Sequence, residues 1–212
     1  METVVGVILA GGKSHRMGRD KAWLTVDGKP LLMRVFAVMQ AAFPRVWIIV
    51  DHPGRELPSL LPDTDPEDTK KLRPEIIADL IPDAGPLGGI YTALHRMTHS
   101  SAPLTPGLSG AFVVACDMPF LSKEAIEALL RKAPLYDVVL PTVGGRRQPL
   151  HAYYGLSCLE PLGEKLRQRD LSLHTLWPGV RVYDMDETTY RRFDPELRSL
   201  VNVNTPEDLN PP

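Results

Sequence analysis

Apolar residues in this chain form short continuous runs that alternate with segments of helical spacing. Residues 4–9 are an unbroken, β-prone apolar run, which is typical of a strand covered on both faces, as in a parallel sheet. After Pro30, apolar residues recur at helical spacing as far as Met39, and residues 46–50 form a second apolar run. The pattern therefore predicts a strand, a helix and a second strand in succession.

The same alternation continues towards the end of the chain. It predicts further strands at residues 76–78, 111–116, 137–140 and 180–183, helices at residues 87–97, 122–132 and 159–168, and a hairpin at Gly144 and Gly145. Residues 52–75 are rich in proline and acidic side chains, and we expect them to form a variable surface excursion. Alternating strands and helices indicate an α/β fold, a three-layer α/β/α sandwich with a mostly parallel central sheet.

Composition narrows the class of protein. The 212 residues carry a formal net charge of -2, so the charge balance does not indicate a surface for nucleic acid or for an anionic membrane. The apolar run at residues 4–10 is too short to span a membrane, and no basic segment precedes it. Two cysteines, Cys116 and Cys158, cannot form a disulfide framework and suit a reducing compartment. We expect a cytoplasmic protein with one domain over residues 1–212.

Glycines and carboxylates directly follow three of the predicted strands. Gly11 and Gly12 come after the first strand, Asp79 after the third and Asp117 after the fourth. In open α/β sheets, ligands bind beyond the carboxyl ends of the strands. We therefore expect these residues to lie together at one edge of the sheet.

The turn after the first strand combines glycines with cations. It is not a P-loop, because the position six residues before Lys13, where that motif needs glycine, is Val7. It is not a dinucleotide fingerprint either, since the chain contains no G-x-G-x-x-G. Glycines let backbone N–H groups approach a phosphate or a base closely, and Arg16 and Lys21 can neutralise phosphates. The alternative is an ordinary turn with solvated charges.

Each carboxylate at the predicted edge has two interpretations. Asp117 is well placed to hold Mg²⁺, which prefers one or two carboxylates plus substrate phosphates, or it caps the turn before Pro119. Asp79 can accept hydrogen bonds from a base or ribose, with the glycines from Gly85 to Gly89 opening space for a ligand, or it is a turn residue. Neither carboxylate decides the question alone.

The chain closes with two asparagines in an extended segment, Asn202 and Asn204. Side chains two residues apart in an extended segment point the same way. Their amides can therefore orient phosphates or metal-bound water together. The alternative is a turn that caps a terminal helix, which the following Thr205-Pro206 supports.

Taken together, these motifs resemble the molybdenum cofactor guanylyltransferase family over about residues 4–209. The resemblance is carried by Leu9-Ala10-Gly11-Gly12, Arg16-Met17-Gly18, Asp20-Lys21, Gly85-Pro86-Leu87-Gly88-Gly89, Cys116-Asp117-Met118-Pro119, residues 147–154 and Asn202-Val203-Asn204-Thr205-Pro206, in this order. It implies a Rossmann-like nucleotidyltransferase fold and the transfer of GMP from GTP to the terminal phosphate of molybdopterin. Residues 1–120 would then be the nucleotide-binding half and residues 121–212 the acceptor-binding half.

The resemblance also implies roles for individual residues. The nucleotide would contact Leu9, Ala10, Gly11, Gly12, Lys21, Asp51, Asp79, Gly85 and Asp117. Arg16 and Lys21 would hold its phosphates and act catalytically with Asp117, the Mg²⁺ ligand. The family's usual residue at position 51 is asparagine, and Asp51 departs from it because a carboxylate accepts hydrogen bonds but cannot donate them. On the acceptor side we place Arg146, Arg147, His151, Asn202 and Asn204.

Gly11 favours GTP over CTP, because related cytidylyltransferases usually carry an alanine there and the missing methyl group leaves room for a purine. One methyl group changes ligand preference by only about 1–3 kcal/mol. A molybdopterin cytidylyltransferase or sugar-phosphate nucleotidyltransferase therefore stays open, as does a non-catalytic GTP-binding regulatory protein. Cofactor-delivery proteins are expected as transient partners.

Overall fold

A computed structural model describes residues 3–11, 21–58, 74–99 and 107–203 of the chain. The strands are β1 (Val4–Leu9), β2 (Thr25–Val26), β3 (Lys29–Pro30), β4 (Val46–Val50), β5 (Glu75–Ala78), β6 (Gly110–Ala115), β7 (Val138–Val143), β8 (Arg146–Arg147), β9 (His151–Gly155) and β10 (Val182–Asp186). The helices are α1 (Leu31–Ala42), α2 (Gly85–His99), α3 (Lys123–Leu130), α4 (Leu159–Arg167) and α5 (Glu187–Tyr190). Within this described part of the chain, no helix is long and apolar enough to cross a membrane.

The main sheet has the strand order β10-β7-β9-β6-β1-β4-β5, with β8 paired to β7. The pairs β6-β1, β1-β4, β4-β5 and β10-β7 are parallel, whereas β9 is antiparallel to both β6 and β7. The expected mostly parallel sheet is confirmed. Because β6, β1, β4 and β5 are mutually parallel neighbours, their carboxyl ends lie side by side at one edge.

Two apolar layers enclose this sheet. On one face Val4 and Ile8 of β1 belong to the same cluster as Leu32 and Phe36 of α1 and residues of α3. On the other face, the alternate β1 residues pack with residues of α2 and α4, including Leu87, Ile90 and Leu162. Both faces of β1 are therefore buried, which explains its continuous apolar run. The three-layer α/β/α arrangement is confirmed.

Helix α3 begins where the sequence indicates. The hydroxyl of Ser122 accepts a hydrogen bond from the backbone N–H of Ala125 at 3.1 Å, which satisfies one of the donors left over at a helix start. The predicted hairpin at Gly144 and Gly145 is also present between β7 and β8, with both glycines at positive φ. The predicted excursion at residues 52–75 falls largely on residues 59–73, outside the described part.

Three sheet features differ from the predictions. The strand predicted at 180–183 runs instead from Val182 to Asp186, and its alternating exposure is typical of an edge strand. The strand β9 was not predicted, although all five of its residues are buried. A small hairpin, β2–β3, turns at Asp27 and Gly28, both at positive φ. The two-residue strands β2 and β3 contain too few apolar positions for hydrophobic periodicity to reveal them.

Candidate functional site

The ends of four parallel strands are joined by hydrogen bonds that continue past the strands. The backbone N–H of Ala10 donates to Ile49 at 2.8 Å, that of Asp79 to Val50 at 2.7 Å, and that of Cys116 to Leu9 at 3.0 Å. These bonds bring the segments after β6, β1, β4 and β5 into one row. We call this row, formed by residues 9–11, 51, 79 and 117, the strand-end rim. The prediction that Gly11, Asp79 and Asp117 share one edge is thereby confirmed, whereas Gly12 lies outside the described residues.

Gly11 lies close to the segment that follows β4. A Cβ atom at position 11 would sit only 3.2 Å from the backbone nitrogen of Asp51. The missing methyl group therefore lets the first loop and the Asp51 segment pack against each other. The expectation that Gly11 also leaves room for a purine stays a prediction.

The glycines of the Gly85–Gly89 stretch also serve close packing. Gly85 has a φ of 61°, a left-handed conformation that favours glycine at the start of α2. A Cβ at Gly88 would lie 3.0 Å from Oδ2 of Asp79, and one at Gly89 would lie 2.8 Å from a methyl carbon of Leu9. The expectation that Gly88 and Gly89 open space for a ligand is wrong, because Asp79 and Leu9 fill that space.

Asp79 is fixed by its own turn and by α2. Its Oδ1 accepts hydrogen bonds from the Thr92 hydroxyl at 2.7 Å and from the backbone N–H of Ile81 at 3.0 Å. Burial raises the pKa of Asp79, and these hydrogen bonds oppose that effect, while the negative charge of Asp51 adds to it. Asp79 is thus a turn residue, as one interpretation held, and its carboxylate is rigidly placed at the rim.

Asp51 has an arginine partner that the sequence analysis missed. Nη1 of Arg55 lies 2.7 Å from Oδ1 of Asp51, and the Arg55 side chain is only 11% exposed. Burial alone would raise the pKa of Asp51, but the hydrogen bond and the positive charge of Arg55 outweigh it, so the pKa is lowered. The four-residue spacing was the available signal, but it lies in an irregular segment where spacing does not predict contact.

Asp117 stands at the end of β6, next to the returning C-terminal segment. The backbone N–H of Val203 donates to the Asp117 carbonyl at 2.8 Å. The Val203 side chain is buried with Val26 and Leu31, whereas the preceding Asn202 is exposed. This contact places Asn202 beside Asp117, more than eighty residues away in sequence. The acceptor role expected for Asn202 stays a prediction.

Several predicted site residues fall outside the described part of the chain. These are Gly12, Arg16 and Asn204. Lys21 is the first residue of a short 3₁₀ turn, Lys21–Trp23, and the structure describes only the backbone of Lys21. Their assigned roles stay predictions.

The three acceptor-side residues around β8 and β9 have different environments. Arg147 makes a two-pronged ion pair with Asp184, Nε–Oδ1 and Nη2–Oδ2 both at 2.7 Å, which raises the pKa of Arg147. Arg146 is exposed. His151 has no exposed surface, and its Nε2 lies 3.0 Å from the Tyr190 hydroxyl. The expectation that His151 touches an acceptor needs correction, because a completely buried side chain cannot reach one.

The rim is rich in oxygen ligands but is not a complete metal cage. Among the described residues, no group of three histidine, cysteine or acidic side chains is close enough to hold a metal ion. Asp117 offers carboxylate oxygens, and Asn202, which directly precedes the Val203 that bonds the Asp117 carbonyl, offers an amide oxygen. Mg²⁺ prefers such oxygens and is usually bound by one or two carboxylates together with substrate phosphates. The residues present fit an ion that arrives with a phosphate substrate.

An open, mostly parallel α/β sheet whose rim carries glycines and carboxylates defines a nucleotide-binding protein of the nucleotidyltransferase class. Comparison with known proteins makes this specific: residues 6–176 match the model of the MobA-like NTP transferase domain. The chain belongs to this family, which confirms the resemblance seen in its motifs.

Relatives and solved structures agree with this assignment. A probable molybdenum cofactor guanylyltransferase from Pelotomaculum thermopropionicum is 34% identical over 99% of this chain and 91% of its own length. Molybdopterin-guanine dinucleotide biosynthesis protein A from Archaeoglobus fulgidus superposes with a TM-score of 0.74 at 26% identity, over 97% of this chain and 94% of that one. The 2-C-methyl-D-erythritol 4-phosphate cytidylyltransferase of Thermus thermophilus shares the fold, with a TM-score of 0.63 at 19% identity over 99% of this chain and 96% of that one.

Proposed function

We propose that this protein transfers GMP from GTP to the terminal phosphate of molybdopterin, forming molybdopterin guanine dinucleotide and pyrophosphate. The observation that carries the proposal is the strand-end rim, where Gly11, Asp51, Asp79 and Asp117 meet within a chain whose full-length relatives are named guanylyltransferases. The nucleotide occupies the half formed by residues 1–120. The acceptor approaches from residues 121–212, all within one domain.

Asp117 is the proposed ligand of Mg²⁺, with Asn202 beside it to orient phosphate or metal-bound water. When bound, the ion screens the repulsion between the α-phosphate of GTP and the incoming phosphate. Arg16 and Lys21 neutralise the charge that grows on the departing pyrophosphate. The attacking phosphate is ionised at neutral pH, so the reaction needs no histidine base. The burial of His151 is consistent with that.

The carboxylates of Asp51 and Asp79 are the proposed readers of the nucleoside. Both accept hydrogen bonds, and guanine presents adjacent N–H donors at N1 and N2, whereas cytosine has a single exocyclic amino group. Arg55 keeps Asp51 ionised and directed although a second carboxylate is near. The arrangement therefore favours a donor-rich base.

The function is tested by incubating the full chain with molybdopterin, Mg²⁺ and each nucleoside triphosphate in turn. We expect pyrophosphate release and the dinucleotide product with GTP, at a kcat/KM at least about tenfold above that with CTP, the scale of one base-edge contact. Faster turnover with CTP, or with a sugar phosphate as acceptor, would assign a different transferase. Tight GTP binding without turnover on any acceptor would make the protein a regulatory binder.

Replacing Arg55 with methionine tests the nucleoside side. We expect the KM for GTP to rise about tenfold with little change in kcat, because a charge-assisted hydrogen bond that orients Asp51 is lost. Steady-state pyrophosphate release measures both constants. Arg96→Met is the matched control, since Arg96 makes a similar ion pair with Glu75 at 2.8 Å but contacts no rim residue among those described. An equal rise in both variants would show that Arg55 has no special role.

A further inference from the structure

A chain of buried hydrogen bonds runs from the centre of the sheet to the segment before Asn202. Nε2 of His151 on β9 lies 3.0 Å from the hydroxyl of Tyr190, which lies 2.7 Å from the hydroxyl of Ser199. Ser199 in turn contacts Oδ2 of Asp194 at 2.5 Å. The side chains of His151, Tyr190 and Ser199 have no exposed surface, and Asp194 is 7% exposed. None of these groups takes part in the proposed chemistry.

The donor and acceptor roles along this hydrogen-bond chain follow from the carboxylate of Asp194 at its end. The Asp194 carboxylate also accepts from the backbone N–H groups of Arg198 at 3.1 Å and Ser199 at 2.9 Å, so the Ser199 hydroxyl donates to it as well. Ser199 then accepts from Tyr190, and Tyr190 accepts from His151. His151 therefore carries its proton on Nε2. Its Nδ1, which has no hydrogen-bond partner among the described residues, is a bare acceptor.

The hydrogen-bond chain ties three separate parts of the molecule together. His151 belongs to β9, which is paired on both sides within the sheet, while Tyr190 ends α5. Asp194 and Ser199 belong to the segment that continues, three residues later, to Asn202. One residue further, Val203 donates to the Asp117 carbonyl at 2.8 Å. The buried hydrogen-bond chain and the Val203–Asp117 bond thus both anchor the return of the C-terminal segment to the rim.

We propose that Tyr190 is a positioning residue: through Ser199 and Asp194 it holds the C-terminal segment so that Asn202 stays beside Asp117. Tyr190 itself touches no substrate. Its hydroxyl connects the sheet directly to the segment, because it bonds both His151 and Ser199. The positional claim is independent of the reaction, whereas its effect on turnover rests on the proposed function.

The first test uses amide hydrogen exchange on the full chain and needs no activity. Tyr190→Phe keeps the ring but removes both hydrogen bonds, and we expect protection of the Val203 amide to fall about tenfold or more. Tyr183→Phe is the matched control, since Tyr183 lies on the edge strand β10, is partly exposed and bonds no residue of the C-terminal segment among those described. Unchanged protection at Val203 in Tyr190→Phe would overturn the proposal. Ser199→Ala, which breaks the same chain one bond later, should give the same loss.

The second test is a double-mutant cycle in the transfer assay. If Tyr190 acts through the placement of Asn202, Tyr190→Phe lowers kcat about tenfold in the otherwise unchanged chain but has little further effect after Asn202→Ala. The KM for GTP should change by less than about twofold in both backgrounds, because Tyr190 itself touches no substrate. If the two single losses of kcat multiply in the double variant, the substitution weakens the structure in general, and the positioning role is rejected. A chain that transfers no GMP at all would overturn the proposed function and leave the exchange result to decide this proposal.

Discussion

Replacing Asp117 with alanine is expected to lower kcat/KM for guanylyl transfer about a thousandfold, or ~4 kcal/mol of transition-state stabilisation. The reason is electrostatic. Two anionic phosphates approach each other in the reaction, and Asp117 is the proposed protein ligand of the ion that screens them. The fold should survive the change, because the contact of Asp117 with Val203 uses the backbone carbonyl, which alanine retains. Pyrophosphate release with saturating Mg²⁺ measures the effect.

The control for this prediction is another carboxylate outside the rim. Glu196 is exposed, and Glu196→Ala removes the same charge without touching the strand ends. We expect its kcat/KM to stay within about twofold of the unchanged chain, as is usual for surface positions. Asp117→Glu keeps the charge but moves it by one methylene group, so it should recover part of the activity. Near-normal turnover in Asp117→Ala would remove the metal role, whatever the other variants do.

The location of the site could be predicted from the sequence because parallel sheets impose it. Continuous apolar runs identified β1, β4 and β6. A residue that follows such a strand necessarily lies at the carboxyl end of the strand, where ligands bind in open α/β sheets. Gly11 and Asp117 were found in this way, and Asp79 was found in the same way after the shorter strand β5. The hydrogen bonds between Ala10 and Ile49, and between Cys116 and Leu9, then place the strand ends next to each other.

What the sequence could not reveal depends on contacts between distant segments. Gly88 and Gly89 suggested open space for a ligand, but the atoms that fill this space belong to Asp79 and Leu9, which periodicity does not relate to α2. Arg55 lies in an irregular segment, where its four-residue spacing from Asp51 does not predict an ion pair. The return of Asn202 to the rim depends on the burial of Val203 against Val26 and Leu31, which is a tertiary contact.

The buried strand β9 was missed for a different reason. Its sequence contains a histidine and two tyrosines, whose polar atoms make it look like a surface segment. The structure satisfies those atoms individually: the Tyr153 hydroxyl donates to the Ser109 carbonyl at 3.0 Å and the Tyr154 hydroxyl to the Pro149 carbonyl at 2.8 Å. Burial of polar groups is permitted once each has a partner, and no single-sequence pattern shows where the partner comes from.

His151 is expected to make the folded state sensitive to acid well above the range where carboxylates titrate. Burial lowers the pKa of His151 to about 3, with the negative charge of Asp194 acting in the opposite direction. The unfolded chain binds a proton at this imidazole below about pH 6.5, whereas the folded chain does so only near pH 3. Stability from the neutral imidazole is therefore complete above pH 6.5 and is lost as the pH falls below it. The loss is on the order of 3 kcal/mol at about pH 4.5.

His151→Gln isolates this effect, because glutamine does not titrate and its amide can still donate to Tyr190. We expect the free energy of unfolding, measured by denaturant titration between about pH 7 and 4.5, to fall more steeply in the unchanged chain, with a difference on the order of 3 kcal/mol at the acid end. The matched control is His174→Gln, which makes the same replacement at an exposed position, and we expect its curve to keep the slope of the unchanged chain. Parallel curves for His151→Gln would mean that the imidazole gains a proton in the folded state as easily as in the unfolded one. That result would contradict the burial of Nδ1 without a hydrogen-bond partner in the described part of the chain, which makes a proton on that atom costly in the folded state.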